Sequence, residues 1–284
     1  MPDPVRPPPS QVTRLLEIAL AEDLATAGDL TTDSIFDANH RTTGRIVARQ
    51  EGRVAGIAMA LQVFAMLDAR TQVAVLIPDG HDAPAGSTIA EVSGPTRAIL
   101  TGERTCLNLL GHMCGIATAT RNVVALVAGT PTRVVDTRKT TPGLRALEKY
   151  AVRCGGGSNH RFGLHDAVMI KDNHIAAAGS IGDAVAAVRA NVGHMVKVEV
   201  EVDRLEQIGP ALEAGADVIL LDNMEPASLT RAVALIHGAA ATEASGGITM
   251  ETIVAVAATG VDVISLGALT HSAPRLDVAL DMVD

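Results

Sequence analysis

"VKVEVEVDRLEQIGPALEAGADVILLDNM", residues 196–224, holds a strand, a helix and a second strand in direct succession. Alternation in VKVEVEV sets Lys197, Glu199 and Glu201 on one face and Val198, Val200 and Val202 on the other. The run that begins at 217, DVILLD, is apolar on both faces, the pattern of a parallel strand covered by helices. A strand inside such a sheet has no face open to water. The charged face of 196–202 therefore looks into the interior or mouth of a closed sheet, and a functional Glu201 is favoured over a structural ion pair with Lys197.

The same unit repeats on either side. Apolar runs start near 132 (TRVVD), 167 (AVMIK), 196, 217, 241 (ATEAS) and 262 (DVISLG), at intervals of 21 to 35 residues, and amphipathic segments such as 180–191 and 203–214 fill the gaps. Successive βα units of this kind define an α/β protein, and a (β/α) barrel closes them. Six strands are identified in this way, leaving a seventh or eighth open. Upstream, residues 12–24 have helical spacing behind Ser10 as the expected cap, followed by the turn-rich ATAGDLTTD. Residues 44–100 change to short β-like runs broken by Gly, Pro and Asp, a small antiparallel sheet domain with VAGIAMALQVFAML as its helix. Residues 103–128 carry an apolar stripe too long for a strand and form the connecting helix.

Asp136, Lys171, Glu201, Asp222, Ser245 and Gly267 each fall at or just past the end of a proposed strand. That is the rim where barrel enzymes keep their chemistry. Cations gather on the same rim. From Arg138 to Lys171 there are seven Lys and Arg against Glu148 and Asp166, a local +5 in a chain of net charge −9. Thr141-Pro142 is expected to start a helix of about 12 residues that ends at Gly155-Gly156-Gly157, with its N-terminal amides close behind Arg138 and Lys139. Arg145, Lys149 and Arg153 are assigned to the solvated face of that helix. The loop GGGSNHRFG then brings His160 and Arg161 ahead of the strand that ends in Lys171, Asp172 and His174.

Arginine fits planar carboxylates as a two-pronged fork, and lysine meets phosphate as a compact charge. The mixture points to a carboxylate ligand and a phosphorylated one. Left alone, so many like charges would repel, so the pocket is expected to need a polyanionic ligand. ASGGIT (244–249) and SLGALT (265–270) are Gly-containing turns on the last two strands, where barrels often bind phosphate.

Composition narrows the classes. A pI near 5.4, no Trp, one Tyr and three Phe exclude the basic face and stacking platforms of a nucleic-acid binder. Cys106, Cys114 and Cys154 make no C-x-x-C pair and are read as buried thiols in a reducing compartment. MPDPVRPPPSQ has no apolar leader core and no run reaches 18 uninterrupted apolar residues, so a cytoplasmic protein without membrane partners is expected.

DTRKTTPGLR, GGGSNHRFGLHDAVMIKDNHI, VEVEV, LLDNM, EASGGI and DVISLGALTHS together resemble the quinolinate phosphoribosyltransferases. AEDLATAGDLTTD and GERTCLNLLGHMCGIAT extend the likeness over nearly the whole chain. The resemblance implies an open (β/α) barrel, residues 104–274, with an N-terminal sandwich domain, residues 1–103, on which the 275–284 tail can pack. It implies that quinolinate and phosphoribosyl pyrophosphate give nicotinate mononucleotide, pyrophosphate and carbon dioxide, with Mg²⁺, in NAD biosynthesis. It also implies a homodimer in which the N-terminal domain of one subunit covers the barrel mouth of the other. By the same likeness Arg138, His160, Arg161 and Lys171, with Arg104 of the partner subunit, bind quinolinate. Lys139 lies near the reacting centre, and Glu201 and Asp222 hold the ribose hydroxyls and the metal-bound diphosphate. Ser245, Gly246, Gly247 and Gly267 correspond to the 5′-phosphate site. Two rival readings make different use of these groups: a Schiff-base aldolase would use Lys171 as its amine, and a sensor would bind pyridine carboxylates without turnover. A third keeps the fold and transfers to another carboxylated acceptor.

Overall fold

The computed structural model describes residues 4–283. Residues 1–3, where the segment read as lacking a leader begins, and Asp284, the end of the tail, lie outside the described residues. The chain divides into two compact units that interleave along the sequence. One takes the residues up to Arg121, Thr140–Gly156 and those from Leu269 on; the other takes Asn122–Lys139 and Gly157–Ala268.

The first unit opens with α1 (Pro9–Leu24) and α2 (Leu30–Ile35). Helix α1 starts two residues earlier than Ser10 allows as a cap: Pro8 is the N-cap and Pro9 sits at the first helical position. The fixed φ of proline suits that position and no amide is wasted there. Strands β1 (Arg41–Ala48) and β2 (Gly52–Arg53), helix α3 (Ile57–Leu67), and strands β3 (Gln72–Val75), β4 (Asp82–Ala83) and β5 (Thr88–Pro95) follow. Helix α4 (Thr96–Leu126) leaves β5 without a break, so the connecting helix begins seven residues before the stripe at 103 announces it. Antiparallel pairing joins β1, β3 and β5 with a strand from the chain end, β12 (Val278–Val283), in the order β12-β1-β5-β3. Ile57, Ala60, Leu61, Val63 and Phe64 of α3 are all buried, an aliphatic core as the composition requires. Cys106, Cys114 and Cys154 are free and buried. Burial raises all three thiols, Cys114 and Cys154 to about 12.

Helix α5 (Arg145–Cys154) also belongs to this unit and corrects two expectations. Thr141-Pro142 does not start it. Gly143 has φ +83°, which turns the chain, and the helix begins at Arg145. Glu148, fully buried, receives the Thr141 N–H at 3.1 Å on one oxygen and His112 Nε2 at 2.8 Å on the other, which fixes the turn before the helix. Lys149 is 3% exposed, so it does not lie on a solvated face.

The second unit is one parallel sheet of six strands, each at its expected place: β6 (Arg133–Val135), β7 (Val168–Ile170), β8 (Val198–Val202), β9 (Val218–Asp222), β10 (Ala241–Ser245) and β11 (Val263–Ser265). Their order is β6-β11-β10-β9-β8-β7. Helices α6 (Asp172–Ala178), α7 (Ile181–Asn191), α8 (Ile208–Glu213), α9 (Pro226–Ile236) and α10 (Ile253–Ala257) connect them. The barrel is open: β6 and β7 are the two edges, and Val135 of β6 makes a parallel bridge to Ser158 in the loop that precedes β7. Among the described residues no helix is long and apolar enough to cross a membrane.

Candidate active site

Parallel strands put all their C-terminal ends on one rim. Lys171 follows β7 directly; Glu201 is the penultimate residue of β8; Asp222 and Ser245 end β9 and β10; Gly267 lies two residues past β11. In-register pairing of Glu201 with Leu220, Leu220 with Glu243, and Asp222 with Ser245 sets these side chains on a common face. The opposite face of β8 carries Val198, Val200 and Val202, none more than 1% exposed. Charged residues thus share the inner face, as VKVEVEV requires.

One step further from the rim, Glu199 and Glu243 are both buried. They meet His160, whose Nε2 lies 3.3 Å from Glu199 Oε2 and 3.4 Å from Glu243 Oε2. The Arg161 amide donates to Nδ1 at 2.7 Å, so the ring proton sits on Nε2, between the two carboxylates. Burial opposes charge on His160 and the two carboxylates favour it, raising the ring above its ordinary range; with Nδ1 accepting from Arg161, the structure holds the neutral ring with its one proton between the carboxylates. Burial likewise raises Glu199 against the pull of His160, and the charge of Glu243 adds to the rise. The three ligand atoms lie within 4.8 Å of one another, near enough for a metal ion. Here the imidazole N–H occupies the place between the carboxylates that a cation would take.

Asp136, fully buried just past β6, holds the His160 loop. Its carboxylate accepts Asn159 Nδ2 at 2.6 Å and the His160 N–H at 2.9 Å. Arg161 is turned inward and donates to the Ala167 carbonyl at 3.1 Å. Burial lowers Arg161 from its usual range, and the neighbouring guanidinium of Arg138 lowers it further. Two adjacent like charges of this kind are a place for an anion. Arg138 and Lys139 are exposed on the turn after β6, where the Lys139 amide donates to Thr137 Oγ1 at 3.0 Å.

Lys171 Nζ lies 2.5 Å from Glu201 Oε2. Glu201 therefore does have a lysine partner, but it is not Lys197, which pairs with Asp217 at 2.8 Å at the other end of β8. The expectation of uncompensated cations is likewise corrected: acidic groups stand among them, Glu201 on Lys171 and Glu199 with Glu243 on His160. Glu243 escaped the sequence analysis although ATEAS placed it on the same face as Ser245. After β10, Gly246 and Gly247 take φ +89° and +60°, left-handed values that let the turn fold back. Arg104 is exposed on α4, in the other unit. Glu201 and Asp222 offer oxygen donors of the hard type that Mg²⁺ prefers.

Residues 29–114 match the model for the quinolinate phosphoribosyl transferase N-terminal domain, and residues 116–281 the model for the C-terminal domain. A Bacillus subtilis protein called a probable nicotinate-nucleotide pyrophosphorylase [carboxylating] is 49% identical over 96% of this chain and 93% of its own. The Mycobacterium leprae nicotinate-nucleotide pyrophosphorylase [carboxylating] is 46% identical over 93% of this chain and 94% of its own. The solved structure of the Francisella tularensis nicotinate-nucleotide pyrophosphorylase superposes with a TM-score of 0.94 at 42% identity, covering 98% of both chains. With both domain models matched in order and relatives aligned almost end to end, this chain belongs to the quinolinate phosphoribosyltransferase family.

Proposed function

We propose that this chain transfers the phosphoribosyl group of phosphoribosyl pyrophosphate to quinolinate with loss of carbon dioxide, giving nicotinate mononucleotide and pyrophosphate for NAD biosynthesis. The observation that carries the reading is the Arg138–Arg161 pair on the same rim as Glu201 and Asp222. A doubly acidic ring answers the first pair, and a sugar bearing hydroxyls and phosphates answers the second.

In this reading Arg138, His160, Arg161 and Lys171 orient the two carboxylates so that the pyridine nitrogen faces the ribose carbon. Arg104 of the partner subunit completes the pocket in a homodimer; its exposure on α4 supports that role. Glu201 and Asp222 hold the ribose hydroxyls and the diphosphate end, and Lys139 offsets charge on departing pyrophosphate. Mg²⁺, when bound with the diphosphate near Glu201 and Asp222, supplies Lewis-acid neutralisation of the leaving group. Ser245, Gly246, Gly247 and Gly267 take the 5′-phosphate through backbone amides. As pyrophosphate leaves, the ribose carbon becomes oxocarbenium-like and the ring nitrogen attacks it. The pyridinium formed then stabilises the carbanion left as carbon dioxide departs, and a proton from water closes that ring carbon to give nicotinate mononucleotide, so the cationic side chains need only bind and orient. Buried free thiols at Cys106, Cys114 and Cys154 support a cytoplasmic setting.

Lys171 is ion-paired and half exposed, whereas an aldolase amine needs an enclosed, apolar site. The test is formation of nicotinate mononucleotide from quinolinate and phosphoribosyl pyrophosphate, with nicotinate as competing acceptor. Turnover of quinolinate with release of carbon dioxide is expected; preference for nicotinate would overturn the assignment.

A further inference from the structure

Asn223 follows Asp222 with φ +54°. The other non-glycine residues with positive φ among those described, Ala25 and His237, are the C-caps of α1 and α9, where such a turn closes a helix. Asn223 caps no helix. Its conformation is held instead by contacts to two neighbouring strand ends. The backbone N–H donates to the Ser245 carbonyl at 2.8 Å, and Nδ2 donates to Asp222 Oδ2 at 2.7 Å. A carboxylate only accepts, so the amide nitrogen must face Asp222 and Oδ1 must face the other way. That way lies Gly246. A Cβ on Gly246 would overlap Asn223 Oδ1 and come within 2.6 Å of its Cγ, and the φ of +89° already disfavours any side chain there. Asp222 and Ser245 are in register, so one asparagine spans from the end of β9 to the turn after β10.

We propose that Asn223 is a positioning residue for phosphoribosyl pyrophosphate: it ties the Asp222 carboxylate to the Ser245–Gly246–Gly247 turn, fixing the spacing between the groups that take ribose and diphosphate and those that take the 5′-phosphate. This rests on the assignment of Asp222 and that turn to the phosphoribosyl donor. Aspartate could not serve in its place, because it would set a second carboxylate against Asp222. Alanine would lose the bond and strain the left-handed backbone, whereas glycine keeps the backbone and loses only the side chain.

The test compares N223G, N223D and D222A with the wild-type protein. It measures KM and kcat with phosphoribosyl pyrophosphate varied, Kd for that donor and for quinolinate by calorimetry, and Tm. Loss of a hydrogen bond to a charged group predicts that N223G raises KM and Kd for the donor about tenfold, and that N223D raises both further. Kd for quinolinate alone and Tm stay near wild type in N223G, which a merely structural role would not allow. Donor binding unchanged in N223G, with D222A impaired, overturns the positioning role while leaving the site assignment standing. Donor binding unchanged in D222A overturns the site assignment itself, and the role of Asn223 with it.

Discussion

Replacing Glu201 by Gln should move the two substrates in opposite directions. In the free protein Glu201 Oε2 holds Lys171 Nζ at 2.5 Å, with side-chain exposures of 16% and 47%. A pair this open to water is screened and its lysine costs entropy to hold, so it is worth about 0.5–1 kcal/mol. Glutamine keeps the shape and removes the charge, which leaves Lys171 available to a quinolinate carboxylate. Quinolinate measured alone, by calorimetry, should therefore bind about two- to fivefold more tightly to E201Q. Turnover goes the other way. Losing a charge-assisted contact to the ribose hydroxyls costs about 1.5–3 kcal/mol, so kcat/KM for phosphoribosyl pyrophosphate should fall about 10- to 150-fold. K171A provides the control, since the tightening should be absent from K171A/E201Q. Weaker quinolinate binding in E201Q would refute the claim that Glu201 competes with the substrate for Lys171.

Removing either guanidinium of the Arg138–Arg161 pair should cost about 2–3 kcal/mol in transition-state binding, read as kcat/KM for quinolinate; near wild-type values in R138A and R161A would contradict the carboxylate assignment. Gly115 and Gly182 should respond to alanine with opposite signs in chemical denaturation. A Cβ at 182 in α7 would make only an ordinary contact, 3.7 Å from Ser180 Oγ, and G182A should gain about 0.5–1 kcal/mol from helix propensity, whereas a Cβ at 115 would overlap the Pro274 carbonyl and G115A should lose about 1–3 kcal/mol. Asp217 accepts from Arg189 Nη2 at 2.6 Å, Lys197 Nζ at 2.8 Å and the Val198 amide at 2.9 Å. Burial works to raise it, but these donors prevail and hold the carboxyl at about 2, below its ordinary 3.8. A depressed acid stabilises the fold above its unfolded pKa and loses that contribution as pH falls through the folded one. D217N should thus be less stable than wild type by about 1–2 kcal/mol at pH 7, with the gap shrinking between pH 3.8 and 2; a gap that persists at pH 2 would refute this.

The six barrel strands were legible because burial on two faces leaves apolar runs that no other element of that length produces. Helix α5 was misread at its start because the decisive contacts are tertiary. Glu148 reaches back to the Thr141 amide and across to His112, and Gly143 turns the chain between them; no local propensity encodes that. Lys149 was misplaced for a similar reason: its spacing on an amphipathic helix suits a solvated face, yet it is buried. The partner of Glu201 could have been foreseen. Residues at the end of one parallel strand neighbour those at the end of the next, so Lys171 after β7 is close to Glu201 in β8, and Lys197 lies at the opposite end.

Charge balance in the barrel changes what ligand binding must accomplish. From the sequence the cations seemed to require an anion simply to coexist. In the fold, Glu201 compensates Lys171 and the buried Glu199 and Glu243 lie against the His160 N–H, while Arg138 and Arg161 stand beside each other. An incoming dianion therefore meets two adjacent guanidiniums whose mutual repulsion its carboxylate relieves, and one lysine that it must take from another partner. The second contact is an exchange whose net value is small. Affinity for the acceptor should accordingly be concentrated on the two arginines, and Lys171 should matter more for orienting the second carboxylate. In the proposed assignment the same exchange would set Glu201 free for the sugar, so occupation of the acceptor pocket should prepare the donor side of the site. That coupling follows from one short ion pair on adjacent strand ends, which a sequence shows only once the order of the strands is known.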